Sequence, residues 1–236
     1  MAVLDGARAN SMLSYVNHEV RNPLNVIKGM VEYTLLTLEQ CALPPELGTC
    51  VADLTVASRA CDFLEHIVSD ILVLQRLEAG ALVLNLHPHR VSDIVEDMRE
   101  AVRHKMEEKK NVVLIIECPT DITAVVDAFG LKQILLNFLS NSMKYTDQGS
   151  ITVRVTKHDS GEITIGVLDT GSGIPETHQK LIFQAHVQLD ADDIGRHGSH
   201  GLGLYLVSML AQRMNWTVGF HSTVGVGSHF WITIPA

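Results

Sequence analysis

Apolar residues recur through the first forty positions at alternating spacings of three and four: Leu13, Val16, Val20, Leu24, Ile27, Val31, Leu35 and Leu38. That is the period of an α-helix, and the stripe predicts one long helix over residues 10–40 with a single apolar face. The stretch from Ala42 to Gly48, with two adjacent prolines, breaks the period. A second stripe then runs through Leu54, Cys61, Leu64, Val68, Ile71 and Leu74 and stops at Gly80, a residue suited to a helix C-terminus. Residues 1–80 are therefore expected to form an antiparallel helical hairpin. Two helices cannot enclose both stripes, so a four-helix bundle built by two chains, a homodimer, is the economical arrangement.

From Ala81 the period shortens. β-branched stretches at Leu82–Leu86, Val112–Glu117, Thr123–Val126, Ser150–Thr156, Glu162–Leu168, Trp216–His221 and His229–Ile234 read as strands. Helical patterns at Val91–Lys109, Ala128–Tyr145 and Leu202–Met214 separate them. The turn-rich Lys157–Gly161 joins two strands as a hairpin. Residues 81–236 are thus expected to form a second domain, an α/β sandwich with a mixed, mainly antiparallel sheet and helices on one face, which makes the whole chain α+β.

Composition narrows the function classes. With 46% hydrophobic residues the 236-residue chain is not disordered. Its longest aliphatic run, Val112–Ile116, is far too short to span a bilayer, so no membrane contact is expected of this chain. A net charge of -9, with basic residues matched by acidic ones past residue 80, argues against nucleic acid as a partner. The four cysteines form no CxxC pair and no leader pattern precedes them, which suggests a reducing, cytoplasmic setting. Glycine is uneven: 11 of the 17 fall in residues 161–236. The Gly-rich part is a second region.

Four constellations could carry chemistry. At about 100° per residue, His18 lies roughly 150° from the first apolar stripe and faces outward. Glu19 adjoins it, Asn22 follows one turn later, and Pro23 deprives the Glu19 carbonyl of its helical partner. A carboxylate beside an imidazole can take the Nδ1 proton while Nε2 attacks; the plainer alternative is a solvated histidine. Secondly, Asn137 and Asn141 are four apart on one helix with Lys144 a turn later and Tyr145 beside it. Two amide oxygens and an ammonium suit hydrated Mg²⁺ bridged to phosphates, although a polar exposed face would read the same way. Thirdly, Asp169-Thr-Gly171-Ser-Gly173 follows a strand, so a carboxylate can accept from an exocyclic amine such as that of adenine while the glycines admit a flat ligand; a plain turn is the alternative. Fourthly, Gly201-Leu202-Gly203 opens a helix, where exposed N–H groups bind phosphate. Residues 176–200, with Asp190, Asp192, Asp193 and Gly195, have the texture of a mobile lid.

In order and spacing these segments together resemble the transmitter core of sensor histidine kinases. Asn17-His18-Glu19-Val20-Arg21-Asn22-Pro23-Leu24 resembles the H box, and Asn137 to Thr146 the N box. Asp169 to Pro175 resembles the G1 box, Leu181-Ile-Phe183-Gln184 a degenerate F box, and Gly201-Leu-Gly203-Leu204 the G2 box. Gly225 to Phe230 is similar to the family's last sheet turn, and Arg76 to Gly80 to its interdomain joint. Ser199 and His200 depart from the G2 pattern, and the F box lacks its usual acidic residue and Pro-Phe.

The resemblance implies a dimerisation and histidine-phosphotransfer bundle followed by an ATP-binding domain of the gyrase, Hsp90 and MutL type. His18 would accept the γ-phosphoryl of ATP, Glu19 act as base, and Asn22 position water for dephosphorylating a response regulator. Asn137 and Asn141 would hold Mg²⁺, Lys144 the phosphates, Tyr145 the adenine face and Asp169 the adenine amine. Gly171, Gly173, Gly201, Leu202 and Gly203 would line the lid and phosphate contacts. The phosphoryl group would pass to an aspartate of a receiver domain. The alternatives are a kinase-dead docking scaffold with an altered lid, or an ATP-driven conformational machine. With no sensor or receiver pattern in view, an excised core or a short soluble protein is expected.

Overall fold

A computed structural model describes residues 2–39, 48–184 and 201–236, with the side chains of 2–19, 39 and 59 outside that description. The expected interruption at Ala42–Gly48 therefore lies almost wholly outside the described residues, as do most of the expected lid and the Ser199 and His200 departures. The chain divides after Leu82 into two compact units.

The first unit is a pair of long helices, α1 (Ala2–Glu39) and α2 (Gly48–Glu78), packed along each other. Pro23 is accommodated inside α1. Leu24 is buried and Val31, Leu35 and Leu38 half-buried, whereas Val20 and Ile27 of the same stripe stay exposed together with Met30. On α2, Cys61 and Leu74 are buried while Leu64 and Ile71 are exposed. Each stripe is wider than one neighbouring helix can cover, so part of it remains bare. Lys28 ties the pair, its ammonium 2.7 Å from Asp62 and 3.3 Å from Glu65. The hydrogen bond to Asp62 leads in raising the lysine above its ordinary value. Gly80 ends α2 at φ +64°, with the Gly80 N–H donating to Leu77 and those of Ala81 and Leu82 to the Arg76 carbonyl.

Among the described residues the second unit carries seven strands: β1 (Leu86–Arg90), β2 (Val112–Glu117), β3 (Thr123–Asp127), β4 (Gly149–Lys157), β5 (Ile163–Asp169), β6 (Thr217–Thr223) and β7 (Gly227–Ile234). Its described helices are α3 (Val91–Glu108), α4 (Ala128–Tyr145), the single turn α5 (Glu176–Gln179) and α6 (Gly203–Arg213). The main sheet has the order β2-β4-β5-β7-β6, with β2 parallel to β4 and the other pairs antiparallel. It is mixed, as the pattern predicted. β1 and β3 form a separate two-stranded ribbon.

One element differs from expectation. The strand expected at Leu82–Leu86 forms instead at Leu86–Arg90, because Thr123–Asp127 pairs there, with Leu86 opposite Asp127 and Arg90 opposite Thr123. A two-stranded ribbon consists only of edges, so Pro88 is tolerated despite its missing N–H.

Alternation sends Ile151, Val153, Val155, Ile163, Ile165, Val167, Phe230, Ile232 and Ile234 to one face of the sheet, where α3, α4 and α6 pack. α4 lies deepest: Leu131, Ile134, Leu135 and Phe138 are completely buried. Phe138 stacks on Phe230 at 5.6 Å, and burying a ring of that size contributes about 2–3 kcal/mol. The core thereby clamps the helix bearing the two asparagines against the strand that ends in Asp169.

Candidate functional site

α4 begins where Asp127, at the end of β3, accepts from the Gly130 N–H at 2.8 Å with one carboxylate oxygen and from the Asn85 N–H at 2.7 Å with the other. This cap fixes the rotation of the helix about its axis. Asn137, Asn141 and Lys144 then fall on one half-buried side, opposite the apolar stripe. The Asn137 amide donates to the Gln133 carbonyl at 3.0 Å, which turns its oxygen outward. That oxygen lies against the first residue of α6: a β-carbon on Gly203 would come within 2.3 Å of it. The Lys144 ammonium sits 4.5 Å from the centre of the Tyr145 ring and donates to its hydroxyl at 2.8 Å. At the end of α4, Lys109 donates to the Thr146 carbonyl at 2.7 Å.

β5 delivers Asp169, whose carboxylate accepts from Ser142 Oγ at 3.1 Å, the Gly171 N–H at 3.0 Å and the Ser228 N–H at 3.1 Å. The following loop is pressed against α4, since the Ser172 N–H donates to the Tyr145 carbonyl at 3.1 Å and a β-carbon on Gly171 would meet that oxygen at 2.4 Å. Gly173, at φ +71°, packs on the Thr223 backbone of β6. Only glycine fits there, on conformation and on space alike.

Further bonds hold this loop to the β6–β7 turn. Buried Ser222 accepts from the Ile174 N–H at 2.8 Å, Gln179 donates to the Ile174 and Ser222 carbonyls, and the Gly225 N–H donates to Ser172. Phe183 packs edge-on against Phe220 at 5.8 Å. Leu202 is buried at the start of α6, with Gly201 before it at φ +67°.

α4 thus contacts distant segments of sequence: Gly203 lies against Asn137, Asp169 is bonded to Ser142, and Gly171 is pressed on the Tyr145 carbonyl. His18 and Glu19 lie on α1 in the other unit, with side chains outside the described residues; Asn22 is exposed there. Sequence reasoning missed Ser142, Ser222, Ser228 and Gln179. A signal existed for Ser142, a lone hydroxyl on the buried face of α4 that requires a partner. Nothing comparable marked the others, whose partnerships join the loop after β5 to the β6–β7 turn.

Comparison with known proteins gives a consistent result. Residues 126–236 match the family described as histidine kinase-, DNA gyrase B- and HSP90-like ATPase, and residues 8–80 match the His Kinase A (phospho-acceptor) domain. The chain is 32% identical over 237 residues to the signal transduction histidine-protein kinase BarA of Escherichia coli (strain K12), covering 98% of this chain and 25% of that protein. It is 34% identical to hybrid signal transduction histidine kinase K of Dictyostelium discoideum, covering 94% of this chain and 19% of that protein. Among solved structures, full-length ShkA in complex with AMPPNP superposes with a TM-score of 0.68 at 31% identity, over 95% of this chain and 45% of that one. The chain spans about a quarter of the length of the BarA proteins it matches.

Proposed function

The chain belongs to the sensor histidine kinases, and on that premise we propose that it phosphorylates its own His18 from ATP and passes the phosphoryl group to an aspartate of a response-regulator receiver domain. The observation that carries the reading is that α4 packs Gly203, the first residue of α6, against Asn137 and bonds Asp169 through Ser142, so that an amide oxygen, a helix N-terminus and a carboxylate all border one helix. Those are the groups that a metal-bridged phosphate chain and an amine-bearing base require.

In this reading Asp169 accepts from the adenine amine and Tyr145 lies against the ring. Gly171 and Gly173 admit the base, and Lys144 with the N–H groups after Gly201, Leu202 and Gly203 neutralises the phosphates. Asn137 and Asn141 fit a hydrated Mg²⁺, because the Asn137 amide is committed to Gln133 and its oxygen alone faces the site. Mg²⁺ supplies charge neutralisation across the phosphates when bound. The His18 Nε2 lone pair forms the N–P bond as the bond from the γ-phosphorus to the bridging oxygen breaks and ADP leaves. Glu19 takes the Nδ1 proton, and Asn22 positions water for hydrolysis of the response regulator's aspartyl phosphate. The ATP-binding unit does no covalent work, so its contribution is positioning.

Residues 1–80 serve as dimerisation and phosphotransfer domain and 81–236 as catalytic domain. The exposed Val20, Ile27, Leu64 and Ile71 support a homodimer, since they are the parts of both stripes that the hairpin leaves bare. Incubation with labelled ATP is expected to give an acid-labile, alkali-stable phosphoprotein. A His18→Gln protein that still labels would overturn the assignment.

A further inference from the structure

The two oxygens of the Asp169 carboxylate are not equivalent. Oδ1 accepts two backbone N–H groups, from Gly171 and Ser228, which fill its lone pairs. Oδ2 accepts one described donor, Ser142 Oγ at 3.1 Å, and so keeps capacity for one more. Any amine read by this carboxylate is read by Oδ2. Two bonds on Oδ1 fix that oxygen's position but leave the carboxylate plane free to turn, because the terminal torsion of aspartate is broad. A third point must hold the plane, and Ser142 supplies it.

The serine is built for this. It is 1% exposed, between Asn141 and Met143 on α4, so its hydroxyl needs a protein partner. A helical serine ordinarily bonds back to the carbonyl four residues earlier. Here it reaches instead to a residue 27 positions away.

We propose that Ser142 is a positioning residue that sets base specificity: by donating to Oδ2 of Asp169, it aims the remaining lone pair of that oxygen at an amine on the base. A carbonyl at the same ring position would set acceptor against acceptor in a fixed geometry and be rejected. The inference rests on Asp169 as the base contact, and the experiment separates the two.

Binding of ATP, inosine triphosphate and purine riboside triphosphate, which has no substituent at the amine position, is measured with Mg²⁺ on the full chain. Ser142→Ala is expected to weaken ATP about tenfold while leaving purine riboside triphosphate within about twofold, since the lost bond acts only through the amine. Ser142→Cys, similar in size but a poor donor, should follow alanine. In autophosphorylation the loss should fall on KM with kcat unchanged. Equal weakening of all three nucleotides, or no change in any, overturns the proposal for Ser142. Asp169→Asn reports on the premise: if it keeps the wild-type preference for ATP over purine riboside triphosphate, Asp169 itself is not the base contact.

Discussion

Replacing Gly203 by alanine separates function from stability in an unusual way. The new β-carbon would lie 2.3 Å from Asn137 Oδ1 and 3.3 Å from its Cγ, and among the described residues outside its own helix and chain neighbours no other heavy atom lies within 4 Å. Relief to an ordinary contact needs about 1 Å of movement, and the side-chain amide is the softest thing available to move. The hydrogen bond of that amide to Gln133, 3.0 Å long, is lost or stretched in the process.

The fold loses little, because α6 itself favours alanine over glycine by up to about 1 kcal/mol, which offsets the lost bond. Tm should therefore stay within about 3 °C of the parent. The reaction has no such compensation. If Asn137 holds the metal as proposed, its displacement by about 1 Å costs on the order of 10²-fold in rate. Initial rates of autophosphorylation at saturating Mg²⁺ and ATP should fall by that factor. Asn137→Ala alone should be as slow as the Gly203→Ala, Asn137→Ala double variant, because both changes act through one oxygen. A Gly203→Ala protein that phosphorylates at the parental rate would refute the reasoning and free Asn137 from the site.

Gly227→Ala should behave in the opposite manner: its β-carbon would meet the Asp169 carbonyl oxygen at 1.9 Å with the residue at φ +132°, and backbone cannot give way, so a loss of about 3 kcal/mol or more is expected in urea titration. Lys28→Met removes the link to Asp62 and Glu65; the half-exposed pair should contribute about 0.5–1 kcal/mol, seen as a Tm drop at low salt that shrinks at high salt. His229 is held below its ordinary value of 6.5 by burial first, then by the charge of Arg154 and by His221. Below that ordinary value the unfolded chain binds the proton more readily than the folded one, so stability falls as pH drops from about 6.5 toward the lowered value. Thermal melts of His229→Gln between pH 7 and pH 5 should show an acid-side loss smaller by about 1–3 °C than the parent's.

Much of this was legible in the chain because it is local. A helical stripe, an alternating strand and a glycine before a helix are relations among neighbours. Hence α1, α2, α3, α4 and α6, most strands and the order of the motifs follow from spacing alone. The shift of the first strand from Leu82–Leu86 to Leu86–Arg90 shows the limit: both stretches can extend, and the choice was made by pairing with Thr123–Asp127, nearly forty residues away.

The same division runs through the site. Residue types at fixed intervals determined that Asn137 and Asn141 share a helix face and that Asp169 ends a strand. Only the tertiary structure decided that Gly203 packs on Asn137, that Ser142 holds Asp169, and that Ser222 and Gln179 bind the glycine loop to the far turn. Hydrogen bonds and close contacts between distant segments depend on how sheet and helices stack, and no periodicity along the chain encodes that distance. The stripes foretold that the two helices would seek apolar partners. Packing of α1 on α2 decided which residues of the stripes, Val20, Ile27, Leu64 and Ile71 among them, stay exposed.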